Sequence, residues 1–195
     1  GILLMLDEII TGFGRTGKMF CFEHYGVTPD ILVCAKGVAS GFPISLMVST
    51  DEIMNSWGNF QHTSTFSANP LGSAAALASL EVIEKEGLVM RSAKMGNEFL
   101  KRLKEMKDRH RLVGDVRGMG MMCGLELVSD AKKTPAVIET KEVVEYALKH
   151  GVILQPPGGR FANVLKLSPP LVITEEQLEH GLQTIDNAVG SAAKH

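Results

Sequence analysis

The sequence is poor in cysteine, in sustained apolar runs and in net charge. Cys21, Cys34 and Cys123 are its only cysteines. They are odd in number, sit in apolar surroundings and show no paired ligand spacing. That set excludes a disulfide framework, argues against a zinc site and fits reduced thiols, so a cytoplasmic location is expected. The longest apolar stretches, such as Ile2 to Leu6, fall far short of the roughly 20 residues a membrane span needs. The formal net charge is -2 and the lysines and arginines are scattered, which leaves no footprint for nucleic acid or an anionic membrane. No signal peptide is recognisable, and no internal repeat or low-complexity segment appears. Small-molecule chemistry is the expectation that survives.

What is present is an ordinary globular composition. Hydrophobic residues make up 45%, charged residues 22%, and mean hydropathy is +0.09, values that suit a folded core rather than disorder. With 195 residues the chain has room for one domain, or one domain and a smaller companion. The opening GILLMLDE lacks an initiator methionine and reads as a strand already under way, so a chain that starts inside a domain is expected.

Ile2 to Leu6, ending at Asp7-Glu8, has the look of a buried parallel strand whose carboxyl end presents polar groups, the end at which open α/β sheets bind ligands. A glycine-rich turn follows, Gly12 to Gly17. A second apolar run, Ile31 to Ala35, leads into Lys36-Gly37, so the two strand ends are expected to face one crevice. Ile44 to Val48 offers a third strand after the turn at Gly41 and Pro43. Asn69-Pro70 supplies an N-cap and a proline at the first helical position for a small-residue helix that Gly87 stops. Leu88 to His110 keeps helical spacing, with Met95, Phe99, Leu103 and Met106 on one apolar face. Strands are expected around Gly118 to Leu127, Val152 to Leu154 and Val164 to Leu167, with helices near Thr140 to His150 and Thr174 to Val189. The change of texture divides the chain into residues 1–100, the C-terminal part of a large α/β domain with its connecting helix, and residues 101–195, a small α+β domain.

Gly12-Phe13-Gly14-Arg15-Thr16-Gly17-Lys18 matches two phosphate-binding signatures superficially. As a P-loop it lacks the serine or threonine after the lysine, because Met19 stands there. As a dinucleotide fingerprint it starts too late after the strand and opens no evident helix. Asp7 and Lys36 are a stronger pair. Pyridoxal phosphate needs a lysine to form a Schiff base, favoured when burial keeps the amine neutral, and an anionic partner for its ring nitrogen. Thr63-Ser64-Thr65, ahead of Asn69-Pro70, offers hydroxyls and backbone N–H groups for a phosphate. Each element has a plainer alternative: a strand-end carboxylate for Asp7, and a helix-entry loop for the threonine-serine cluster.

LDEIITGFGRTGKMF, PDILVCAKGVASGFPI, HTSTFSANPLGSAAALA and VRGMGMMCGLEL together resemble four ordered signatures of the class III, or ω-type, aminotransferases. The resemblance runs on to NVLKLSPPLVITEEQL, covering essentially the whole chain. It implies a pyridoxal-phosphate transferase of fold type I that moves an amino group from an amino acid or ω-amino acid, such as 4-aminobutyrate, to a 2-oxo acid. It also implies that Lys36 binds pyridoxal 5'-phosphate covalently and shuttles protons, that Asp7 pairs with the ring nitrogen and that Ile9 packs on the ring. Ser64 and Thr65 would bind the phosphate, Thr65 that of a neighbouring subunit, so a homodimer or dimer of dimers is implied. Arg117 matches an arginine that relatives use for a substrate carboxylate, with structural pairing as the other reading. Ile10 departs from the glutamine common in the family and cannot donate that residue's hydrogen bond to the ring oxygen. Decarboxylating or mutase chemistry, or a non-catalytic fragment, are the alternatives to transamination.

Overall fold

The computed structural model describes residues 1–193. It divides into two compact units, Gly1–Arg91 and Ser92–His195, a division that falls inside the helix Leu88–Arg109. Among the described residues no helix is long and apolar enough to cross a membrane.

The first unit holds a three-stranded sheet in the order β1 (Met5–Asp7), β2 (Ile31–Cys34), β3 (Leu46–Ser49). β1 and β2 run parallel with Asp7 opposite Val33, while β3 returns antiparallel to β2. The expectation of a buried strand over Ile2 to Leu6 is not met. Only Met5–Asp7 is strand, and Ile2 is 98% exposed. Within the described residues β1 pairs with β2 alone. After the sheet come a short helix α1 (Asp51–Met54) and α2 (Pro70–Lys85). α2 begins where the sequence marks it. The Asn69 carboxamide oxygen accepts from the Leu71 and Gly72 amides, and proline at the first position gives up an N–H that no helix would use.

The second unit is built on α3 (Leu88–Arg109) and an antiparallel sheet of β4 (Val113–Met119), β5 (Met122–Leu127) and β6 (Val164–Leu167), with α4 (Val137–Lys149) and α5 (Glu175–Ala192). The single strand expected near Gly118 to Leu127 is a hairpin. Gly120, with φ +53, takes the first place of a two-residue turn, a position that favours glycine. β6 has the expected bounds, but Val152 to Leu154 forms no strand. Gly151 takes φ +80 and the Val152 amide donates back to Ala147 O at 2.9 Å. That amide therefore closes the end of α4 and is not available to a ladder. The helical stripe of α3 is the core: Met95, Phe99, Leu103 and Met106 are buried with Leu125, Leu127, Leu165, Val143, Ile185 and Val189.

α3 and α5 run side by side in the same direction, as their ion pairs show. Arg102 grips Glu179 through two bonds of 2.6 and 2.8 Å, and seven residues further along each helix Arg109 meets Asp186 at 2.8 Å. His110 Nε2 lies 2.7 Å from the other oxygen of Asp186. α5 starts with a reciprocal capping box between Thr174 and Gln177.

Candidate active site

Asp7 and Lys36 belong to the carboxyl ends of two neighbouring parallel strands. Asp7 is the last residue of β1, and Lys36 opens a 3-10 turn (Lys36–Ala39) two residues after β2 ends. With strands about 4.8 Å apart, the register of Asp7 on Val33 brings both residues to one rim of the sheet. Asp7 also helps raise the Cys34 thiol pKa, behind burial and the nearby Glu8.

Lys36 is exposed, not buried as its apolar approach suggests. The chain turns immediately after β2. Lys36 takes φ +48, a left-handed conformation that costs a non-glycine residue about 1–3 kcal/mol and persists where surrounding structure enforces it. Val38 and Ala39, in the same 3-10 turn, are buried, and α2 packs on that turn. The anchored half of the turn thus holds the lysine at its open end. Asp7 is exposed too, with Oδ1 accepting the Ile9 amide at 2.9 Å. Ile9 is half-buried and Ile10 is 50% exposed.

The glycine-rich segment forms a loop and then a 3-10 turn, Cys21–His24, so neither phosphate-binding signature has the helix it requires. Its centre is Phe13, 5% exposed with φ +58. Phe13 meets Phe20 edge-on, centroids 5.5 Å apart, and Phe20 stacks on Phe22. A Cβ placed on Gly37 would stand 3.3 Å from Cβ of Phe13, so the loop following β1 touches the turn following β2 next to Lys36. His24 Nε2 lies 3.1 Å from Thr16 O, closing the loop from the other side.

Glu8 is the residue that sequence reasoning passed over. It is 3% exposed, and its carboxylate accepts from the Thr11 hydroxyl, from the Cys21 amide at 3.0 Å and from the Phe22 amide at 2.8 Å. Strand alternation was the available signal: two adjacent carboxylates at a strand end must face opposite ways, so one of them turns inward.

Ser64 and Thr65 lie in the exposed turn just ahead of α2, where Ser64 O accepts from the Ser67 hydroxyl at 2.9 Å. Arg117, in the second unit, is not an isolated cation. Its Nη1 donates to Asp115 at 2.6 Å and to Glu126 at 2.7 Å, and these two bonds raise its pKa.

The class III aminotransferase family matches residues 1–189. The chain is 45% identical to the leucine/methionine racemase of Thermococcus litoralis across 97% of its length, and 40% identical to alanine–glyoxylate aminotransferase 2 homolog 2 of Arabidopsis thaliana across 95%. Its structure superposes on a crystal structure of a transaminase from the marine bacterium Virgibacillus with TM-score 0.91 at 37% identity, covering 100% of this chain. The chain spans 42%, 39% and 46% of those three proteins. It belongs to the class III aminotransferase family, and its fold is that of the fold-type I pyridoxal-phosphate transaminases.

Proposed function

We propose that this chain carries the cofactor anchor of a pyridoxal-phosphate-dependent aminotransferase, which moves an amino group from an amino acid or ω-amino acid to a 2-oxo acid. The observation that carries the proposal is the pairing of strand ends: a primary amine at Lys36 and a carboxylate at Asp7 end neighbouring parallel strands, and the loops beyond them touch at Phe13 and Gly37. These residues fit the cofactor chemically, an amine for its aldehyde and an anion for its ring nitrogen. When bound, pyridoxal phosphate supplies an electron sink that acidifies the substrate carbon bearing the amino group. The chain's own part is to bind, orient and move protons. Lys36 Nζ would hold the aldehyde carbon and, once released, carry the proton at the reacting carbon. Asp7 would keep the ring nitrogen protonated, and Ile9 would pack on the ring. Ser64 and Thr65 would hold phosphate from the turn that enters α2, within a homodimer or a dimer of dimers.

Arg117 would receive a substrate carboxylate only by loosening its bonds to Asp115 and Glu126. The test of the anchor is chemical trapping. Borohydride treatment of the cofactor-loaded full chain should attach the pyridoxyl group to the peptide containing Lys36, and Lys36→Ala should abolish that label. Labelling of a different lysine, or none in the wild type, would end the reading.

A second reading, amino-acid racemisation, is favoured by the 45% identity to a racemase. It uses the same amine and carboxylate, but returns the proton to the substrate carbon from the opposite face. Chiral chromatography separates the two: a racemase inverts its amino acid without an added 2-oxo acid, whereas an aminotransferase converts it only when one is present.

A further inference from the structure

We propose that Glu8 is a positioning residue for the cofactor's ring-nitrogen partner, fixing the Asp7 carboxylate and, through Phe13, the turn that presents Lys36. The inference rests on the assignment of Asp7 and Lys36 given above.

Along a strand successive side chains face opposite sides, so anchoring one residue fixes the direction of its neighbour. Glu8 is anchored at every polar group. Its amide donates to Val33 O at 2.8 Å, continuing the β1–β2 ladder one residue beyond Asp7, and its carbonyl accepts the Gly12 amide at 3.1 Å. Its carboxylate takes three donors from the loop, Thr11 Oγ1, Cys21 N and Phe22 N. Charge-assisted bonds to a buried carboxylate are the strong kind, and losing the acceptor strands its buried donors.

This anchoring has two consequences for the site. The peptide linking Glu8 to Ile9 is the one whose N–H donates to Asp7 Oδ1 at 2.9 Å. Its orientation depends on the Glu8 backbone, so a Glu8 that rotates withdraws the bond that sets the Asp7 side chain. The same carboxylate draws residues 11–22 into a closed loop whose centre, Phe13, lies against Gly37. A Cβ on Gly12 would sit 2.9 Å from Glu8 O, so the loop is drawn tight on the strand end. One buried carboxylate therefore holds both strand-end turns.

The experiment is a pH titration of the bound cofactor's visible absorption band in the full chain loaded with pyridoxal phosphate, using wild type, Asp7→Asn, Glu8→Gln and Thr11→Val. Glutamine matches glutamate in shape, but its N–H₂ end faces backbone donors that need an acceptor. Glu8→Gln should keep the cofactor yet displace the titration midpoint in the same direction as Asp7→Asn. Its kcat should fall by up to about a hundred-fold, the scale of a 1 Å misplacement, with KM little changed. Thr11→Val, which removes one donor and leaves the carboxylate, should shift the midpoint the same way by less, and it decides the matter if Glu8→Gln does not fold. A wild-type titration curve in whichever of these variants folds would overturn the positioning role. Failure of the wild type to bind cofactor would instead overturn the assignment of Lys36 and Asp7.

Discussion

Gly96→Ala should destabilise the protein although it improves a helix. Gly96 lies in α3, where alanine is favoured over glycine by roughly 1 kcal/mol. Its Cβ, however, would stand 2.3 Å from Cα and C of Gly120 and 2.4 Å from its carbonyl oxygen. All three are backbone atoms of the β4–β5 turn and cannot swing aside. Carbon atoms settle at about 3.5–4.0 Å, so the turn and the helix must separate by more than about 1 Å. That would loosen Met121, which is 1% exposed in the same turn. Overpacking of this kind costs about 1–3 kcal/mol or more. With backbone against backbone the upper end applies, leaving a net loss of about 2 kcal/mol after the propensity gain. For a chain of this size that lowers Tm by about 4–8 °C. The control is Gly181→Ala in α5, where nothing lies within 4 Å of the new Cβ. There the same substitution should stabilise by up to about 1 kcal/mol. Urea unfolding with the m-value held in common reads both changes as shifts of midpoint. A Gly96→Ala midpoint equal to or above wild type would refute the close approach of α3 to the hairpin.

Thiol reactivity and acid unfolding give two further tests. Burial pushes the Cys123 thiol up to about 12, so iodoacetamide at pH 8 should leave Cys123 unlabelled in the native protein, and buried Cys34 likewise, while half-buried Cys21 labels first. Mass spectrometry of the peptides checks the order, and prompt labelling of Cys123 would contradict its place in the core. The Arg117 hydrogen bond holds the Asp115 carboxyl below the usual carboxylate range, and Arg102 does the same for Glu179. In both cases the unfolded chain binds the proton more readily, so the stabilisation is present above about pH 4 and fades as pH falls below it. Because these pairs are largely exposed, each should contribute no more than about 1 kcal/mol. Thermal unfolding between pH 6 and 3 should show a shallower acid decline in Asp115→Asn than in the wild type.

The sequence by itself determined what a few adjacent residues decide. Asn69-Pro70 and Thr174 to Gln177 cap their helices because donor and acceptor lie within three residues of each other. The stripe from Met95 to Met106 is buried because helical period alone puts those side chains on one face. The placement of Asp7 and Lys36 at the ends of two strands was legible because each closes an apolar run. Only the tertiary structure decided matters that depend on segments arriving from elsewhere. Glu8 turned inward because Cys21 and Phe22 return with free amides from 13 and 14 residues away. Arg117 was claimed by Asp115 and Glu126 because the β4–β5 register sets these residues beside one another. Val152 left the sheet because a helix end took its amide. A hydrogen bond between distant residues is chosen by geometry that no local pattern of side chains contains.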